Sequence, residues 1–137
     1  PFPNDADELW QQHGLDKLTG LQSKQIYRTW CFLHRFPYIR SQVKERSPKL
    51  IVATGITYLT DFVVCFAGSE GVDNINMESL SCESDSNKAK RTYYWTKINN
   101  RTTLVVIPFF GGPNGLNSDF LLGEIGKRIR QIIEQGN

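Results

Sequence analysis

A three-layer α/β/α sandwich around a mainly parallel central sheet is the fold class the sequence predicts, and three observations predict it. Short β-branched apolar runs stand at Lys49-Leu50-Ile51-Val52-Ala53-Thr54-Gly55 and at Thr102-Thr103-Leu104-Val105-Val106-Ile107. Helical periodicity follows each of them, most clearly from about Asp119 to Gln135, where Leu121, Leu122, Ile125, Ile129, Ile132 and Ile133 share a face. A glycine-rich stretch joins the last strand to that helix, as short βα connections do. With 137 residues and 39% hydrophobic content, the chain is long enough for a real core and short for two domains, so residues 1–137 read as one α/β domain.

The elements follow in order. Pro1 to Asp7 is an irregular lead-in from which Asn4 or Asp5 caps a helix of about Ala6 to His13, with Leu9 and Trp10 on its apolar side and Gly14 at its end. From about Ser23, Ile26, Tyr27, Trp30, Cys31 and Leu33 recur at helical spacing, and the pattern stops at Phe36. Pro37 opens a further helix carrying Ile39 and Val43 that ends near Ser47-Pro48. The apolar run between Pro48 and Gly55 fits a strand buried on both faces. Ile56 to Phe66 reads as a helix starting just after Gly55 with Thr57 near enough to cap it, although Val63-Val64 argue against helix. Residues 68–90, rich in Ser, Asn, Asp, Glu and Gly, read as an exposed, mobile loop or insertion. Arg91 to Ile98 and Thr102 to Ile107 are strands turned at Asn99-Asn100. Ser118 or Asn117 caps the final helix and Gly136 ends it.

The net charge of +2, from 16 basic and 14 acidic residues, means that affinity for a polyanion has to come from local clustering. The basic residues do cluster, as Arg28, Arg35, Arg40, Lys44, Arg46 and Lys49, then Lys88, Lys90, Arg91 and Lys97, then Lys127, Arg128 and Arg130. Each cluster is equally a solvated face. Cys31, Cys65 and Cys82 are widely spaced without a CxxC pair, which suits reduced thiols in a cytoplasmic protein. His13 and His34 add too few ligands for a zinc site, so neither a metal nor a cofactor is expected. No run approaches the length of a membrane span.

The functional signal lies in Leu104 to Ser118, where an apolar strand breaks into Gly111-Gly112-Pro113-Asn114-Gly115 and then opens a helix. Glycines at a helix start bring backbone N–H groups and the positive helix end to the sheet rim, where anions such as phosphate settle. The other reading is an ordinary tight connection. The loop has neither GxGxxG spacing nor a P-loop lysine, which disfavours nucleotide cofactors.

Two segments together resemble the second half of a uracil-DNA glycosylase superfamily domain. Cys31-Phe32-Leu33 through Ser47-Pro48-Lys49-Leu50-Ile51-Val52-Ala53-Thr54-Gly55 is similar to that family's helix, Pro-Lys, apolar strand, glycine and helix. Val106-Ile107-Pro108 through Gly112-Pro113-Asn114-Gly115-Leu116-Asn117 is similar to its second motif, His-Pro-Ser or Asn-Pro-Ser, continued by Gly-Leu-Ser in the mismatch-specific branch. The resemblance implies a uracil-DNA glycosylase-like fold and duplex DNA as partner, held by Gly112, Pro113, Asn114, Gly115, Leu116, Asn117 and Ser118 together with Gly55 and Thr57. Leu116 then stands where a wedge enters the gap left by a flipped base, or else staples the final helix to the core. Phe109 and Phe110 are candidates to stack on a base, or are core residues.

The chain also departs from that family. Gly112 replaces the His or Asn side chain, removing one source of transition-state stabilisation. The family's first motif, which carries the Asp or Asn that positions water, is not recognisable, and Asp5 and Asp7 lack its strand-then-loop setting. No catalytic residue is assigned. One explanation is that the domain's N-terminal part precedes Pro1; the other is a fold kept for binding. The expected function is a glycosylase-like protein that binds DNA and excises a damaged base by N-glycosidic hydrolysis, with a non-catalytic nucleic-acid or protein binding module as the alternative. A small-molecule α/β enzyme is disfavoured because no nucleophile and base pair is visible.

Overall fold

In the computed structural model, which describes residues 7–80 and 90–134, the sheet is arranged around β4 (Thr103–Ile107), whose five residues are all buried. The strand order is β1-β4-β3-β2, with β1 (Leu50–Thr54), β2 (Asn76–Leu80) and β3 (Arg91–Lys97). Strand β1 runs parallel to β4, Leu50 opposite Thr103 and Thr54 opposite Ile107. Strand β3 is antiparallel to both β4 and β2. The sheet is therefore mixed, and the expectation of a mainly parallel sheet is corrected. The reason lies in the turn: Asn99 Oδ1 accepts from the N–H groups of Arg101 and Thr102 at 2.8 Å each, and Ile98 N–H donates to the Thr102 carbonyl at 2.9 Å. So short a connection can only return antiparallel.

Alternation along β4 divides the core. Leu104 and Val106 pack with Ala53 and Val63 on one face, joined by Ile56, Leu59, Phe62 and Phe66. Val105 and Ile107 pack on the other with Leu116, Leu121, Ile125 and Ile132. Both faces being covered, β4 is a continuous apolar run. Strand β1 was expected to be equally enclosed, but it lies at the sheet edge and Val52 is 44% exposed.

Helix α7 (Asp119–Glu134) starts at Ser118, whose Oγ accepts from Leu121 N–H at 3.3 Å. Leu121, Ile125 and Ile132 are its buried row. Leu122, expected on that face, is 39% exposed because it sits one residue, about 100°, off the row. The expected helix after Gly55 is a succession of three windings: a 3₁₀ turn Ile56–Tyr58, helix α5 (Leu59–Phe62) and a π turn Val63–Ala67. Thr57 does not cap it, since no side chain caps the first turn or α5. Residues 68–90, expected as loop, contain helix α6 (Ser69–Val72) and β2. That strand has one apolar residue facing the core, Leu80, beside Glu78 on the same face. Tyr93 Oη donates to Glu78 Oε2 and Trp95 Nε1 donates to Oε1 at 2.8 Å. Asn76, Met77, Glu78 and Ser79 are all exposed, so β2 carries no alternating apolar pattern to read.

The chain divides into two compact units, residues 1–39 and 40–137; the sheet and α7 belong to the second. The first contains α1 (Asp7–Gln12), α2 (Leu15–Thr19), which the sequence reading missed, and α3 (Lys24–Trp30). Ser23 caps α3 by accepting from Ile26 N–H. Trp10 is buried, donates from Nε1 to the Leu21 carbonyl at 2.9 Å and packs on Tyr27 at 5.3 Å between ring centres. The helix does not stop at Phe36. A π turn, Cys31–Arg35, passes into α4 (Phe36–Arg46), and this wider turn accommodates Pro37, which has no N–H to donate. Cys31 and Cys65 are both buried. The Asn4 or Asp5 cap, Cys82, Lys88 and the Gly136 stop lie outside the described residues. No helix among the described residues is long and apolar enough to cross a membrane.

Two outcomes follow from this packing. Ile125→Ala should cost about 2 to 5 kcal/mol in urea unfolding, whereas Leu122→Ala, on the half-wet side of the same helix, should cost well under half as much. The bonds from Tyr93, and next from Trp95, hold the Glu78 carboxyl below its ordinary value. A depressed carboxyl stabilises the fold above its unfolded pKa, and that contribution disappears as pH falls through the folded one. Glu78→Gln should therefore lower the urea midpoint near neutral pH, and the gap to wild type should close below the ordinary glutamate value of about 4.3; a gap unchanged down to about pH 2 would mean that ionisation plays no part.

Candidate functional site

The chain leaves β4 at Ile107, and from Phe109 its side chains turn outward. Pro108 is buried, Phe109 and Phe110 are 50% and 57% exposed, and residues 111–114 are exposed before Gly115 and Leu116 return to the interior. Hydrogen bonds to three of its backbone carbonyls set this loop. Leu116 N–H donates to the Phe109 carbonyl at 2.8 Å and Gly115 N–H to the Gly112 carbonyl at 3.1 Å. Buried Arg91 donates from Nε to the Gly115 carbonyl at 2.9 Å. A Cβ at Gly115 would lie 2.0 Å from the Gly111 carbonyl oxygen, so the tight closure admits only glycine.

Across from the loop, Gly55 extends β1 by donating to the Ile107 carbonyl at 2.8 Å. Its φ of 104° is a conformation glycine tolerates, and a Cβ there would meet the Phe109 ring at 2.5 Å. The Phe109 ring therefore lies directly on bare backbone, with Tyr58 edge-on to it at 6.2 Å. Ile56, Thr57, Pro108, Phe109 and the loop from Gly111 to Gly115 enclose a cleft of about 280 Å³. It opens beyond the carboxyl ends of the parallel pair β1 and β4, where ligands of open α/β sheets bind.

The structure thus brings together Gly55, Thr57, Phe109, Gly112, Pro113, Asn114 and Gly115. Other residues expected to hold a ligand are used internally. Leu116 is 1% exposed and packs in the α7 core, so the side chain that the resemblance sets in a base gap acts here as the staple of that helix. Ser118 Oγ caps α7, and Asn117 Nδ2 donates to the Gly112 carbonyl at 3.1 Å. Asp119 already sits in the first turn of α7, where it opposes a phosphate at the helix end. Phe110 is exposed but does not line the cleft.

One residue of the site escaped sequence reading: Arg91 read as one member of a basic cluster, whereas it is buried as the brace of the loop. Lys127 pairs with Glu124 at 2.7 Å, and no basic residue is among the described residues that line the cleft. What the cleft offers is an aromatic face, exposed loop backbone, and the side chains of Thr57 and Asn114. It suits a planar, hydrogen-bonding ligand better than a highly charged one. No family model matches the chain, and neither a curated protein nor a solved structure matches it.

Gly55→Ala should displace the Phe109 ring and cost about 1 to 3 kcal/mol in urea unfolding. Gly126→Ala, at a helical position of α7 with open space around its Cβ, should instead stabilise by about 1 kcal/mol. Equal effects at the two sites would rule out the close approach of Phe109 to Gly55.

Proposed function

We propose that this domain binds DNA as a uracil-DNA glycosylase-like module, receiving an unstacked base in the cleft between Gly55–Thr57 and the 108–115 loop. The observation that carries the reading is convergence. The second of the segments singled out by their resemblance to that superfamily, and Ile56 and Thr57 directly after the first, lie some fifty residues apart in sequence and line one cleft at the carboxyl edge of β1 and β4. Apolar clusters on both faces of the sheet support the three-layer sandwich of that superfamily as the finer description of the fold.

In this reading the base stacks on Phe109, with Thr57 and Asn114 reaching its polar edge and loop backbone amides meeting the adjoining phosphate. Phe110, exposed beside the cleft, takes the wedge position that Leu116 vacates by being buried. Flipping a base costs a few kcal/mol, which a stacking platform and a wedge can offset. DNA as ligand implies an intracellular site of action.

Binding without cleavage is the form this cleft supports better. Hydrolysis of an N-glycosidic bond needs a group to position water and a donor for the developing charge. The described lining residues include no carboxylate or imidazole, and Gly112 has no side chain to supply the donor.

Fluorescence anisotropy on labelled single-stranded and uracil-containing duplex oligonucleotides tests the proposal. Phe109→Ala should weaken binding about 10- to 100-fold, because stacking contributes about 1 to 3 kcal/mol per base. Affinity should fall with salt at a shallow slope of about 0.9 per phosphate contacted. Unchanged affinity in Phe109→Ala would remove the cleft from the interface, and release of free uracil would restore the catalytic reading.

A further inference from the structure

The two edges of the sheet are built differently. On β2 the edge residues are Asn76, Met77, Glu78, Ser79 and Leu80, a mostly polar set with a charge, of the kind that discourages further strand pairing. On β1 the edge residues are Leu50, Ile51, Val52, Ala53 and Thr54, with no charge, proline or bulge. An apolar run of this type belongs inside a sheet, yet β1 has one strand neighbour among the described residues, and Val52 is 44% exposed.

The hydrogen-bond parity of β1 says what its edge can accept. Lys49 accepts from Thr103 N–H at 3.1 Å and Gly55 donates to Ile107 at 2.8 Å, so in the parallel ladder residues 49, 51, 53 and 55 face β4. The N–H and C=O groups of Leu50, Val52 and Thr54 therefore face the open side. Spaced by two, they match the row of an antiparallel copy of the same strand about a twofold axis at Val52. There Val52 meets Val52 of the second copy and Leu50 meets Thr54, as hydrogen-bonded pairs. On the other face Ile51 meets Ala53. All these pairs are aliphatic or β-branched, which stabilises cross-strand contact.

Charge favours the same arrangement. The residues before β1 include Lys44, Arg46 and Lys49 with Glu45 the one acid among them, while Gly55, Ile56, Thr57 and Tyr58 follow it uncharged. Antiparallel pairing sets each cationic flank beside the neutral end of the other copy. Parallel pairing would place the cationic flanks together.

We propose that β1 is a self-association edge, through which two copies of this chain join by antiparallel β1 pairing into one continuous sheet. This is an isologous contact that closes at two copies, and it does not depend on the ligand of the cleft.

Sedimentation velocity of the 137-residue chain over a range of concentrations tests it. The wild type should show a dimer that dissociates on dilution. Val52→Pro removes an N–H that points to the open side, so it leaves the ladder to β4 intact, and it should give a monomer with unchanged far-ultraviolet circular dichroism. Val52→Lys, which places a charge on each side of the twofold axis, should do the same and carries the test if the proline variant fails to fold. A wild type that stays monomeric up to about 100 μM, well above the micromolar affinities of weak but specific contacts, overturns the proposal. So does a dimer that survives a folded Val52→Lys variant.

Discussion

Burial of β4 on both of its faces is the constraint on which the rest of the second unit depends. A five-residue strand with no exposed side chain needs a strand on each side and apolar cover above and below. The cover comes from α7 on the Val105 and Ile107 side, and from the 56–67 segment on the Leu104 and Val106 side. The α7 cover requires the chain to turn back immediately after Ile107, and the turn that does so is the glycine loop. Close packing leaves little freedom in how it is made, because any shift of α7 opens voids along the buried row of Leu121, Ile125 and Ile132.

The cleft is a by-product of that return. Leu116 must reach the core to seat α7, so the residues before it are folded tightly outward over Gly115, and Arg91 ties the Gly115 carbonyl from β3. Phe109 is then left too far out to be covered by α7 and rests on Gly55, whose missing side chain makes the room. Two glycines with different duties, one for backbone closure and one for an aromatic approach, leave a ring with one side supported and the other open.

Glu78 illustrates why the sheet extends further than its hydrophobic pattern. Paired with the Tyr93 hydroxyl and the Trp95 indole, it ties the exposed part of β2 to β3 as a charged residue. Its carboxylate is favoured by those donors, while burial and the neighbouring carboxylate push the Tyr93 hydroxyl above its ordinary value. Periodicity counts only apolar residues and is blind to a polar group whose partners come from another strand.

Local physics was enough for β3, β4 and α7, because the β-branched runs, the Asn99 turn, the Ser118 cap and the Leu121-Ile125-Ile132 row all act within a few residues of chain. The same holds for Gly55 and the 111–115 loop as punctuation next to strands. What tertiary structure alone decided is which of these residues face inward and which strand lies at the edge. Leu116 and Leu122 are both leucines near the start of α7, yet the first is buried and the second is half-wet. Arg91 stands among basic residues in sequence and is buried because its guanidinium finds a carbonyl brought from Gly115. Val52 reads as interior and lies at an edge because no described strand stands beyond it. Periodicity fixes the direction of a side chain relative to its own element, whereas burial depends on what another part of the chain brings against it.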